Sequence, residues 1–169
     1  MEILIPGLLL VALMVYVSTR IKRTAARAYE AERFETDEFA ITKPEGFIII
    51  DSSDREVLFA AYSKEYGLED ADRFRQVSAE LRLHEGKTVA QVRDEIARGA
   101  SRIVGEQHLA GPSMIIEAET ELDGIRFVSE YRLTEKGGDA LEICVTALSE
   151  TKEANQKYID TMLSSFEIR

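Results

Sequence analysis

The chain has no tryptophan, one cysteine, two histidines and three prolines in 169 residues. Each scarcity excludes something. Cys144 stands alone, so no intrachain disulfide forms, which favours a reducing compartment. One cysteine also rules out the common zinc patterns. A lipoprotein-type anchor needs a cysteine just after an apolar segment, and none is there. His84 and His108 lack the spacing of paired metal ligands, so hydrogen-bonded or exposed histidine is the plain expectation. No phosphate-cradling loop or dinucleotide fingerprint occurs, and Ser52-Ser53 and Ser164-Ser165 lack the glycines of a nucleophile elbow. Asp51, Asp54, Asp70 and Asp72 are turn acids; a loose Ca²⁺ site is the alternative, although no EF-hand pattern fits. These absences point to a chain with no catalytic residues, no cofactor and no metal.

What is present is charge of uneven sign and one long apolar run. Residues 1–28 hold four cations and one anion, for a net of +3. The remainder carries −13, within a total of −10. Such an acidic body is repelled by phosphates, which excludes nucleic acid as a partner. From Ile3 to Thr19 no residue is charged, and the run includes Leu8, Leu9, Leu10, Val11, Leu13, Met14, Val15, Tyr16 and Val17. These 17 positions span roughly 25 Å as a helix, the short end of what crosses a bilayer core. Pro6 falls in the first turns, where a missing N–H costs little.

Three readings compete for this run: a retained membrane anchor, a cleaved secretory signal, and a core helix. A signal wants cations before the apolar stretch, whereas here only Glu2 precedes it. A core helix of a soluble domain shows a polar face, and Leu8 to Val17 has none. The anchor is therefore the expectation. Arg20, Lys22, Arg23 and Arg27 follow it and would contact anionic headgroups. The positive-inside rule then puts the N-terminus outside and the domain in the cytoplasm, with an extracytoplasmic domain as the alternative. Residues 1–19 read as a transmembrane helix, 20–35 as a basic helical stalk, and 36–169 as a soluble acidic α+β domain.

Within the domain, Met114 to Leu122 and Ile125 to Leu133 alternate apolar and polar positions around Asp123-Gly124, a two-residue hairpin signal. Folding that turn sets Leu122 opposite Ile125, Glu121 opposite Arg126 and Ile116 opposite Tyr131. Gly137-Gly138-Asp139 makes a second turn, and Leu141, Ile143, Val145 and Ala147 form the inner face of a third strand. Cys144 alternates with them and falls on the opposite side, as a packing residue. Ser149 or Thr151 caps a last helix with an apolar stripe through Ala154, Tyr158, Ile159, Met162, Leu163 and Phe166. Earlier strands are expected over 39–42, 47–50, 57–62 and 77–83. Thr88 and Gln91 fit a capping box for a second helix with Val89, Val92, Ile96 and Ile103 in its stripe and Gly99 inside it. Four strands, a helix, three strands and a helix imply a largely antiparallel sheet with helices packed on it.

Phe39-Ala-Ile-Thr-Lys-Pro-Glu-Gly-Phe47 resembles the opening of PsbP-like domains, and Tyr158 to Phe166, ending Ser-Ser-Phe, resembles their last helix. The resemblance covers about residues 34–169, although the family usually has tryptophan where Phe47 stands. It implies an α/β/α sandwich and a mostly non-enzymatic role: extrinsic subunits or assembly factors of membrane complexes, or binding of a small GTPase. The expectation is a membrane-anchored accessory or assembly subunit. Its partners would be the lipid bilayer and a larger membrane protein complex. The alternative is a tethered module for a small ligand or a regulatory partner.

Overall fold

The computed structural model describes residues 4–50, 54–63, 65–66 and 74–169; the side chains of residues 4–12, 25, 65, 66 and 74 lie outside the description. Helix α1 (Leu4–Ala28) is continuous over 25 residues, about 37 Å. No glycine or proline interrupts it after Gly7. Among the described residues, no helix is long and apolar enough to cross a membrane. The side chains of Leu8, Leu9, Leu10 and Val11 lie outside the described residues. Those of Leu13, Met14, Val15, Tyr16, Val17 and Ile21 are exposed on α1, as are Arg20, Lys22, Arg23 and Arg27.

The helix stops at Ala28 rather than running on to Glu35. Strand β1 (Glu32–Glu35) follows, antiparallel to β2 (Phe39–Lys43). Phe34 explains the switch: its ring packs 5.9 Å from that of Phe39 and 5.6 Å from that of Phe59. Tertiary burial of one aromatic outweighs the small helix preferences of its charged neighbours. The C-terminal strand β12 (Glu167–Ile168) pairs on the other side of β2. Arg33 bridges Glu35 at 2.6 Å and Glu167 at 2.7 Å across this three-stranded sheet.

The main sheet is built from β3 (Phe47–Ile49), β4 (Val57–Ser63), β7 (Val77–His84), β8 (Arg102–His108), β9 (Ser113–Leu122), β10 (Ile125–Lys136) and β11 (Asp139–Leu148). Its order is β3-β4-β7-β11-β10-β9-β8, antiparallel throughout. Two short strands, β5 (Glu65–Tyr66) and β6 (Phe74–Arg75), pair beyond the β4 and β7 ends. The β9–β10 hairpin has the register that alternation demanded: Leu122 faces Ile125, Glu121 faces Arg126 and Ile116 faces Tyr131. Both turn residues have positive φ, 52° at Asp123 and 79° at Gly124.

Helices cover both faces. Helix α2 (Val89–Gly99) opens with the Thr88–Gln91 capping box. It buries Val92 against Met114, Ile116, Leu133 and Ala140. It ends at Gly99, so Ile103 belongs not to its stripe but to β8, from which it packs against the same cluster. Helix α3 (Lys152–Ser165) lies on the other face, where Ile159, Met162 and Leu163 meet Leu81, Ile143 and Val145. Burying each such side chain contributes about 1.5–3 kcal/mol.

Thr151 does not cap α3 through its side chain; a short 3-10 turn over Ser149–Thr151 leads in instead, and Thr151 Oγ1 donates to the Leu148 carbonyl. Both ends of α3 are tied to strands by cations. Lys152 pairs with Glu117 and, at 3.1 Å, with Glu130. Arg132 Nη1 donates to the carbonyls of Leu163 at 2.8 Å and Phe166 at 3.2 Å.

Candidate functional site

Three places concentrate polar chemistry. The first is the neck between α1 and the domain. Strand β2 ends in Lys43, which is 1% exposed although its side chain is charged. Its Nζ donates to the carbonyls of Glu30 at 2.6 Å, Ala28 at 2.8 Å and Phe47 at 3.0 Å. All three ammonium protons thus meet carbonyl oxygens, two of them where α1 ends, the negative pole of the helix. Gly46 adds an N–H bond of 2.7 Å to the Tyr29 carbonyl. It does so at φ +88°, which a side chain would strain. The Lys43-Pro44-Glu45-Gly46 stretch is therefore a socket for the end of α1, joined to β1 by only three residues, 29–31.

The second place is the face of β7 and β11 that carries their even-numbered residues. His84 Nε2 lies 2.9 Å from Glu142 Oε2. Burial pushes the Glu142 carboxyl above its usual range, against the opposing pull of His84. Arg82 bridges Glu80 at 2.7 Å, and the Tyr62 hydroxyl lies 3.4 Å from Glu80. Cys144 falls on this face, opposite in sense to Ile143 and Val145, as alternation required. Its thiol is pushed up to about 12, by burial first, so it does not ionise near neutrality. Burial likewise raises the Tyr131 phenol far above its ordinary value. These groups are partnered, and the geometry makes them a polar seam in the sheet.

The third place is a cleft of about 550 Å³ on the α2 face, between the start of α2 and the β8–β9 turn. Val89, Pro112 and Met114 supply apolar walls. Arg93 holds Glu106 at 2.7 Å and Asp94 at 3.0 Å. His108 and Glu135 complete the lining. His108 is the last residue of β8. Neither Glu106 nor Glu135 stands out in sequence, because the strand carrying Glu106 is legible only once Ile103 is known to leave α2.

Among the described residues, no group of three His, Cys, Asp or Glu side chains is placed to hold a metal. Asp54 is exposed and lies 3.9 Å from Arg82, while Asp51, Asp70 and Asp72 lie outside the described residues.

No protein-family model matches the chain, and neither does any curated protein. Solved structures do. The Ran-binding protein Mog1p of Saccharomyces cerevisiae superposes with a TM-score of 0.59 at 9% identity, over 83% of this chain and 96% of that one. LpqN, involved in cell envelope biogenesis of Mycobacterium tuberculosis, gives 0.56 at 11%, over 82% and 90%. The cyanobacterial PsbP of Synechocystis gives 0.52 at 12%, over 83% and 94%. Identities this low carry the architecture and nothing finer. The domain built on this seven-stranded sheet, with α2 and α3 on its two faces, has the PsbP/Mog1 fold.

Proposed function

We propose that the chain is a membrane-tethered, non-catalytic interaction module, an accessory or assembly subunit that α1 holds beside a larger membrane protein complex. One observation carries this reading. Leu13, Met14, Val15, Tyr16, Val17 and Ile21 are all exposed on a helix that leaves the domain uncovered. Water is a poor medium for such a surface, and lipid is a good one. The uncharged run continues back to Ile3, and Arg20, Lys22, Arg23 and Arg27 follow at the point where headgroups would lie. The Lys43 socket supports the same reading, because it ties the end of α1 to the sheet instead of leaving a loose linker. The Ran-binding role of the yeast protein is an example of this fold used for recognition. Tethering raises local concentration, so a weak docking surface suffices. The cation cluster after the apolar run supports a domain on the cytoplasmic side.

Carbonate washing of membranes tests the tether, and mild-detergent pull-down tests the partner. The expected result is a chain that stays in the carbonate pellet and emerges with larger membrane proteins. A chain released by carbonate, or recovered alone under several detergents, overturns the reading. The α2 cleft favours a second reading, a tethered receptor for a small ligand, which predicts saturable binding of a low-molecular-weight compound with no protein partner in the pull-down.

A further inference from the structure

The sheet has one long open edge. Strand β8 closes the order of the seven strands, and along Arg102–His108 only Ile103 is partly buried. Among the described residues, nothing pairs with its outer side. The direction of its backbone groups follows from the ladder. The Leu109 N–H bonds to the Ser113 carbonyl on β9, so Gln107 and Gly105, two and four residues back, also turn inward. The N–H and C=O groups of Glu106 and His108 therefore point away from the sheet. A register shift between Ile103 and Gly105 breaks the pattern beyond that point, which confines a straight edge to the Gly105–His108 end.

That same end borders the α2 cleft, and Glu106 and His108 line it. The charge balance there is negative. Asp94, Glu106 and Glu135 face a single cation, Arg93, which is already spread over the first two. The Glu135 carboxylate has no ion-pair partner among the described residues. Met114 and Val89 offer an apolar wall on which a long aliphatic stem packs while its charged head reaches a carboxylate. An open strand edge and a pocket for an alternate side chain are the two parts of recognition by strand addition.

We propose that β8 and this cleft dock an extended basic segment of a protein partner, which adds as an eighth strand and inserts a lysine or arginine side chain toward Glu135. This deepens the interaction role given above and names the chemistry of the partner. A second copy of the chain fits worse, since it would bring the same surplus of carboxylates to the junction.

The test uses the full chain in nonionic micelles and a seven-residue peptide of alternating valine and threonine with a central arginine. Versions with central glutamate and central citrulline are the controls. The expected result is saturable binding of the arginine peptide alone. At saturation the Glu106 and His108 amides should gain at least about tenfold protection from hydrogen exchange. Glu135→Gln should weaken binding about tenfold, the size expected for one charge-assisted contact. His108→Pro removes an outward N–H at the edge and should abolish the protection at Glu106. Unchanged exchange at Glu106 and His108 overturns the proposal. So does equal binding of the glutamate or citrulline peptide, or full affinity in Glu135→Gln. Because micelles stand in for the membrane, this failure is distinct from failure of the tether, which carbonate washing reads separately.

Discussion

Replacing Lys43 by methionine keeps an unbranched stem one atom shorter and removes the ammonium. Three carbonyl oxygens then lose their donor. Ala28 and Glu30 are exposed residues, so water can take over at their oxygens for a small loss. Phe47 is 1% exposed, and its carbonyl would be left without a partner at a cost of about 1–3 kcal/mol. Charge-assisted bonds are worth about 1.5–3 kcal/mol each, and the relief of no longer burying an ammonium offsets part of that. The balance is a loss of about 3 kcal/mol. Urea unfolding of the full chain in nonionic micelles, followed by far-ultraviolet circular dichroism, measures it. The neck over residues 29–31 should also become markedly more sensitive to protease, because the end of α1 is released. A Lys43→Met chain within about 0.5 kcal/mol of the parent, with the neck cut at the same rate, would refute the socket as the tie between helix and domain.

Three further outcomes follow from the same geometry. Gly46→Ala should cost about 1 kcal/mol, since no neighbour obstructs a side chain and only the φ of +88° is unfavourable; thermal unfolding checks it. Glu142 binds its proton more tightly in the folded chain than in the unfolded one. Between the ordinary carboxylate range and that raised value the folded state holds the extra proton, so stability falls as pH rises; Glu142→Gln should flatten this dependence in a series of melting temperatures against pH. The Cys144 thiol, pushed up to about 12, should react with a disulfide reagent at pH 8 only on unfolding, so fast labelling of the native chain would refute its burial in the sheet.

The parts of the fold legible in sequence are those where local pattern and burial agree. The β9–β10–β11 meander reads correctly because alternation and the Asp123-Gly124 turn specify one register. The α2 start reads correctly because a capping box is a local device. Strand β1 was hidden because Glu32, Arg33 and Glu35 suit a helix, and only distant Phe39 and Phe59 explain the pull on Phe34. Strand β8 was hidden because Ile103 happens to fall at helical spacing from Ile96, so Gly99 looked internal when it is the end. The candidate site suffered accordingly. Glu106, His108 and Glu135 come from β8 and β10, and no spacing along the chain brings them together. Lys43 is silent in sequence, because its partners are backbone carbonyls, which leave no mark in composition.

The cations at the two ends of α3 also bear on how the domain can vary. Sliding the helix by one residue would rotate it about 100° and strip both Lys152 and Arg132 of their acceptors at once. Helix alignment is thus set by two polar pins, and the aliphatic residues between them need only fill space. Ile159, Met162 and Leu163 should accept exchanges of similar volume without moving the helix, so sequences could drift far apart here while the outline of the molecule persists.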